Sequence, residues 1–240
     1  MMRGLFLALA LMISGPAGAV ECSEQSYDGQ SFSVCRVDLT TERLQLFLRD
    51  GEGQTIGSFR RLQSLMPDKS LEFAMNAGMY HDDRAPVGHY VENGTEVMRV
   101  VQNAGPGNFG MLPNGILCVQ PDAAYVIETL AFVAQQPQCQ HATQSGPMLL
   151  IDGAVHPRFL PDSTFRNVRN GVGTSDDGKS AVFVVSDTQV TFYELALFFR
   201  DAIGVKNALY FDGRVSKLHA PKLGRSDLGV RMGPIIGVVN

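Results

Sequence analysis

The strongest constraint on the fold is a series of short apolar runs, several alternating every second residue, cut apart by Asn-Gly and Asp-Gly dipeptides. Residues 31–39, SFSVCRVDL, and 44–49, LQLFLR, alternate apolar and polar side chains as half-buried strands do. Later runs at 124–129, 148–151, 181–186, 208–211 and 234–239 are rich in Val, Ile, Leu and aromatics and mostly continuous, which predicts more deeply buried strands. Asn93-Gly94, Asn114-Gly115, Asp152-Gly153 and Asp177-Gly178 lie between such runs. Both residues of these dipeptides tolerate positive φ, so each predicts a hairpin turn.

Helices are expected at only two places. SFRRLQSLM at 58–66 is ended by Pro67. TFYELALFFRDAIG at 191–204 offers Thr191 as N-cap, Glu194 at the capping-box position and Gly204 as C-terminal cap. There is no repeat, low-complexity tract or linker. The expected fold class is α+β, a single domain with an antiparallel or mixed β-sheet core and few helices.

With 240 residues, 45% hydrophobic and 18% charged, the chain can bury a core of its own. A net charge of −4 with no Lys/Arg-rich tract gives no long-range attraction to nucleic acid or to an anionic membrane. Residues 1–19 combine Arg3, an apolar run from Leu5 to Ile13 and the small residues Ala17-Gly18-Ala19. This is the pattern of a secretory signal peptide cut after Ala19, leaving 20–240 as the folded domain. No segment is long enough for a comfortable apolar span, so no integral membrane association is expected and the mature protein is placed in the periplasm or outside the cell. In that setting Cys22, Cys35, Cys118 and Cys139 read as disulfides, and sequence proximity favours Cys22–Cys35 and Cys118–Cys139. Tight CxxC pairs are lacking, so no structural zinc is expected, and no other metal or cofactor is called for.

Residues 73–94, FAMNAGMYHDDRAPVGHYVENG, admit three readings: a metal site, a substrate-binding loop or a solvated turn. His81, Asp82, Asp83 and His89 offer ligand atoms without a recognised ligand spacing. Residues 82–86 suit a plain turn, but a turn leaves Asn76-Ala77-Gly78 unexplained. An Asn at a strand end beside Gly78 lets backbone approach a ligand while the amide donates and accepts. Asn76 to Tyr80 are therefore read as lining a site, with 81–86 as its solvated rim. Ser145-Gly146-Pro147 places a hydroxyl and a backbone amide before a buried strand. No GxSxG is present, so this is not a nucleophile elbow. Arg166 is read as half of a surface ion pair, whereas Arg169 is a candidate fork for a phosphate or carboxylate. The run at 207–211 delivers Asp212 to a strand end, where partial burial would raise its pKa for acid–base work. Taken alone, Asp212-Gly213 is equally a hairpin turn.

The order of these motifs resembles the phosphodiester glycosidase family across roughly residues 70–239. It runs from Asn76-Ala77-Gly78-Met79-Tyr80 through Ser145-Gly146-Pro147 to Asp152-Gly153. Arg169-Asn170-Gly171-Val172-Gly173 and TFYELALFFRDAIGVKNALYFDG complete it. The resemblance implies hydrolysis of the bond between a sugar's anomeric carbon and a phosphate, in a sugar-phosphate or glycan substrate. It places the family's strand-end Asn on Asn76, its Ser-Gly-Pro on residues 145–147, its strand-opening Arg on Arg169, its loop Asp on Asp212 and its loop serine on Ser216. Arg169 would then hold phosphate and Asp212 would serve the anomeric carbon or the attacking water, with Asp187 as a second carboxylate. Asn76, Ser145 and Ser216 would orient hydroxyls. Where the family has Asp followed by three glycines, this chain has Asp212-Gly213-Arg214-Val215-Ser216, which makes Arg214 a second phosphate candidate. That departure also keeps open a non-catalytic protein that binds sugar or phosphate in the family pocket. A metal-dependent phosphodiesterase is the third reading.

Overall fold

The computed structural model describes residues 20–240, so the expected signal segment at 1–19 lies outside the described residues. Three antiparallel sheets carry the fold. The first has seven strands in the order Glu21–Tyr27, Gln30–Asp38, Ser180–Ser186, Asn170–Thr174, Asn207–Tyr210, Met148–Ile151 and Ala154–Val155. The second has five: Arg225–Ser226, Leu218–Ala220, Leu71–Asn76, Ile235–Val239 and Leu44–Phe47. The third also has five: Thr95–Met98, Tyr90–Glu92, His141–Ser145, Gly115–Val119 and Ala124–Glu128. The expected α+β class holds, with antiparallel pairing in all three sheets.

Strand alternation decides what each face meets. In Ser180–Ser186, Phe183 and Val185 join a central core to which the second sheet adds Phe73 and Ile236 and the third Leu117 and Val126. The intervening Val182 and Val184 face the other way, onto Phe198 and Phe199 of the C-terminal helix. The central strands of the seven-stranded sheet, Ser180–Ser186, Asn170–Thr174 and Asn207–Tyr210, are thus buried on both faces, which is why 181–186 and 208–211 read as nearly continuous apolar sequence.

That helix is built as the capping box predicts. The Thr191 hydroxyl accepts from the Glu194 amide and the Glu194 carboxylate from the Thr191 amide. Phe192–Leu197 is α-helical, Phe198–Ile203 widens to a π turn, and Gly204 closes it at φ 79°. The helix expected at 58–66 forms over Phe59–Ser64 on Ser58 as N-cap. A third helix, Thr129–Gln135, was not anticipated. Its cap is the Glu128 carboxylate accepting from the Ala131 amide, a signal hidden because Glu128 also ends a strand.

Asn93-Gly94 and Asp152-Gly153 form the hairpin turns expected of them, all four residues having positive φ. Asp177-Gly178 lies in the connection of the Asn170–Thr174/Ser180–Ser186 hairpin. Asn114-Gly115 is no turn. Gly115 already pairs within a strand, and the buried Asn114 amide donates to the Phe109 carbonyl and accepts from the Thr129 hydroxyl. Both disulfides form with the pairing expected from proximity, Cys22–Cys35 across one hairpin and Cys118–Cys139 from a strand to the segment beyond the unanticipated helix.

Candidate active site

One strand end from each sheet arrives at the same place. The second sheet brings Asn76, the third Ser145, and the first both Asn170 at the start of one strand and Asp212 just beyond another. Asn170 ties them together. Its side-chain carbonyl accepts from the Asn76 amide at 3.2 Å. Its own amide lies within bonding distance of the Asp212 carbonyl at 2.9 Å, the Val215 carbonyl at 3.2 Å and the Ser216 hydroxyl at 2.7 Å. The Asn76 oxygen accepts from the Lys217 amide at 3.0 Å, and the Ser145 hydroxyl donates to the Phe211 carbonyl at 2.6 Å. Buried amides and hydroxyls satisfied in this way fix the course of the 211–217 loop.

What that framework presents is Asp212, 7% exposed, in the wall of a cleft of about 590 Å³. Burial pushes its carboxyl up to about 6, against the pull of backbone amides that donate to it, Arg214's at 2.9 Å among them. Tyr80, Arg84, Asn108, Phe109 and Arg214 share the cleft. The Arg84 guanidinium lies 5.2 Å from the centre of the Tyr80 ring, whose hydroxyl donates to the Arg231 carbonyl. Burial, and then the negative charge of Asp212, raise the Tyr80 pKa. Gly213 leaves little room for a side chain: a Cβ would stand 3.0 Å from both the Asn108 amide nitrogen and the Tyr210 hydroxyl. That hydroxyl is fully buried and has no hydrogen-bond partner, a rare and expensive condition. Asn108 also lines an adjoining cavity of about 300 Å³.

The expected site residues therefore separate by place. Asp212, Tyr80 and Arg214 line the cleft. Asn76, Ser145 and Ser216 do not: Asn76 and Ser145 bond the 211–217 loop from neighbouring strand ends, and Ser216 lies in that loop with its hydroxyl on the Asn170 amide. Gly78 and Gly146 are spent on packing between strands. A Cβ on Gly78, at φ 126°, would meet the Thr143 hydroxyl at 2.8 Å, and one on Gly146 the Asn114 Cβ at 2.6 Å. Arg169 opens on the adjoining cavity rather than on the cleft of Asp212. Its guanidinium sits 3.7 Å over the Phe192 ring, with Nε on the Val190 carbonyl and Nη2 on the Phe165 carbonyl. It is 1% exposed and has no carboxylate partner among the described residues, and burial lowers its pKa.

Asp187 is not in the cleft. Its carboxylate accepts from Arg225 at 2.7 Å and from the Ser33 hydroxyl at 3.0 Å. The physical reason is the register of Ser180–Ser186, whose last residue lies opposite Phe32 and sends the chain out toward Arg225. Asp187→Asn is accordingly expected to leave turnover within about two-fold of the native rate while removing one part-exposed ion pair. A kinetic comparison of the purified proteins checks it.

His81, Asp82 and Arg84, read from sequence as the solvated rim of the site, border the cleft, with His81 and Asp82 exposed. His89 is turned away and bonds the Met98 carbonyl, so the four possible ligands of 81–89 do not converge. Asn170, Asn108 and Tyr210 were not singled out. A signal existed for Asn108: the segment 101–114, VQNAGPGNFGMLPN, is a long connection without regular structure, and such loops inside compact domains are disproportionately functional.

The profile of the phosphodiester glycosidase family matches residues 69–219. The chain is 31% identical over 221 residues to YigE of Escherichia coli K12, described as uncharacterized, covering 91% of this chain and 85% of that one. Its fold is similar to the catalytic domain of zebrafish N-acetylglucosamine-1-phosphodiester alpha-N-acetylglucosaminidase, described as auto-inhibited by its pro-peptide. The TM-score is 0.64 at 14% identity, over 93% of this chain and 84% of that one. A Burkholderia pseudomallei protein described as a candidate exported protein is similar with TM-score 0.53 at 12% identity, over 87% and 74% of the two chains.

Proposed function

The chain belongs to the phosphodiester glycosidase family, and from that premise we propose that it hydrolyses a glycosyl-1-phosphodiester, with Asp212 as the acid–base group. The observation that carries the reading is a buried carboxyl, raised to about 6, facing a cleft that also holds two arginines. In the reaction a water oxygen bonds to the anomeric carbon, the carbon–oxygen bond to phosphate breaks, and a phosphomonoester leaves. A phosphate departs without strong protonation, so the demand on the protein is for cations at the phosphate and a carboxylate at the carbon or the water. Asp212, ionised, takes the proton of the attacking water or steadies the developing positive charge at the carbon. Arg214 and Arg84 hold the phosphate, and the Asn108 amide offers a donor at the narrow point beside Gly213. Arg169, one cavity away, is left for the part of the substrate beyond the scissile phosphate.

Export supports the setting: two disulfides form, the N-terminal residues have signal-peptide character, and no helix among the described residues is long and apolar enough to cross a membrane. The test is release of free reducing sugar from a soluble glycosyl-1-phosphodiester as a function of pH. The sugar-releasing kcat/KM is expected to rise as pH increases through about 6, where Asp212 ionises. A second reading is favoured by one feature, Arg214-Val215 in place of family glycines. Saturable binding of a sugar phosphate without any release over long incubation would select a binding protein instead.

A further inference from the structure

Arg169 is a buried cation without a counter-ion. It is 1% exposed and pairs with no carboxylate among the described residues. Nε and Nη2 donate to the Val190 and Phe165 carbonyls, and the Phe192 ring covers one side of the guanidinium. Nη1 donates to nothing among the described residues. Nor is Nη1 sealed in, because only the His156 Nε2 and the Tyr210 hydroxyl are there both fully buried and unpartnered. It is therefore the corner of the guanidinium that opens on the cavity of about 300 Å³ which Arg169 lines. Tyr210, whose ring centre lies 5.8 Å from the guanidinium carbon, leaves a second polar group unsatisfied beside it. A buried, uncompensated cation is expensive to a fold, and an anionic ligand removes that expense.

The cavity differs from the cleft in its charge. Asp82 and Asp212 line the cleft together with Arg84 and Arg214. The cavity is lined by Arg158 and Arg169 and by no carboxylate. Glu194, on the helix that supplies the Phe192 wall, is held by Arg166 at 2.9 Å. Asp162, on the loop at the other side, is exposed and does not line the cavity. Two guanidinium groups without a carboxylate suit a dianion, and the Phe159, Phe165 and Phe192 walls suit an organic body attached to it. A phosphomonoester has both, whereas a carboxylate brings half the charge. Asn108 lines the cleft and the cavity alike, so the two are neighbouring compartments.

We propose that the cavity of Arg158 and Arg169 binds a phosphomonoester, and that this group is a second phosphate on the aglycone of the substrate. The scissile phosphate stays in the cleft of Asp212. The second half rests on the hydrolase reading; the first does not. The probe for the first half is inorganic phosphate, titrated by calorimetry into the full chain. Arg84→Ala combined with Arg214→Ala strips the cleft of its cations, and this variant is still expected to bind one phosphate. Adding Ser163→Asp sets a carboxylate in the cavity wall, where it can accept from the Phe165 amide as the serine hydroxyl does. Phosphate affinity is then expected to fall by about ten-fold or more. Arg158→Ala, at an exposed side chain with no carboxylate partner, is expected to weaken binding by about three-fold. Phosphate binding that disappears with the two cleft arginines, or that neither cavity variant changes, would overturn the site.

The second half is read from kcat/KM on two soluble glycosyl-1-phosphodiesters that differ only by a terminal phosphate on the aglycone. The native chain is expected to favour the phosphorylated one by about ten-fold, and Ser163→Asp alone to lose that preference. Equal native values for the two would overturn the assignment to the substrate and leave the hydrolase reading standing. Release from neither would overturn both of those, with the phosphate titration still deciding the site.

Discussion

Asp212→Asn is expected to lower kcat for a glycosyl-1-phosphodiester by about 10²–10⁴-fold and, at neutral pH, to make the protein more stable. Both effects come from one property of the site. The carboxyl is 7% exposed and its pKa is raised from 3.8 to about 6, so the folded protein holds the Asp212 proton more tightly than the unfolded chain does. Stability from this group is complete below the unfolded value near 3.8 and is lost as pH rises through about 6. At neutral pH the native protein therefore carries an ionised carboxylate that its surroundings disfavour. The asparagine removes that charge while its side-chain oxygen can still accept from the Arg214 amide. The gain should be about 2 kcal/mol at neutral pH and fade toward pH 4, as read by denaturant unfolding at several pH values. A merely structural aspartate in an Asp-Gly turn would show the reverse, a variant less stable and no less active.

Asn170→Ala should be the most damaging substitution in the framework beneath the site. It removes the amide that reaches Asp212, Val215 and Ser216 and strands the Asn76 amide in the interior without its acceptor. Leaving several buried polar groups unpaired is expected to cost about 2–4 kcal/mol, a drop of roughly 5–15 °C in Tm. The remaining folded protein should lose kcat by more than ten-fold while KM changes little, about the pattern of a displaced acid–base group rather than lost binding. Circular dichroism melting and steady-state kinetics on the same preparation separate the two effects. A loss below about 1 kcal/mol with native kcat would show that the 211–217 loop holds its course without Asn170.

Much of this was legible in the chain because strands and caps are local. Residues 181–186 read as a buried strand because both faces are covered, and Thr191 with Glu194 spelled a capping box that the helix uses. The two disulfides followed from proximity. What local pattern could not give was depth. Asn76, Ser145 and Arg169 were picked out as polar groups at strand ends, which they are. Whether such a group faces a ligand or bonds another strand end depends on the partner supplied by a different sheet. Asn76 meets Asn170 from 94 residues away and Ser145 meets the Phe211 carbonyl from 66. Asp187 stands at the end of an apolar strand as Asp212 does, but it is exposed and has Arg225 across from it, whereas Asp212 is buried. Asn114-Gly115 had the composition of a turn, but the Phe109 carbonyl and Thr129 hydroxyl claimed its amide. Residues 81–86 read as a solvated rim because charged turns are usually exposed, and His81, Asp82 and Arg84 border the cleft.

The most direct measurement of the central claim is where the oxygen of water goes. Hydrolysis of a soluble glycosyl-1-phosphodiester in heavy-oxygen water, with products separated and weighed by mass spectrometry, reports which bond breaks. If Asp212 serves attack at the anomeric carbon, the label enters the free sugar and the phosphomonoester carries none. Label found in the phosphate, with the sugar unlabelled, would mean that the phosphorus is the centre attacked and would contradict the assignment of this cleft.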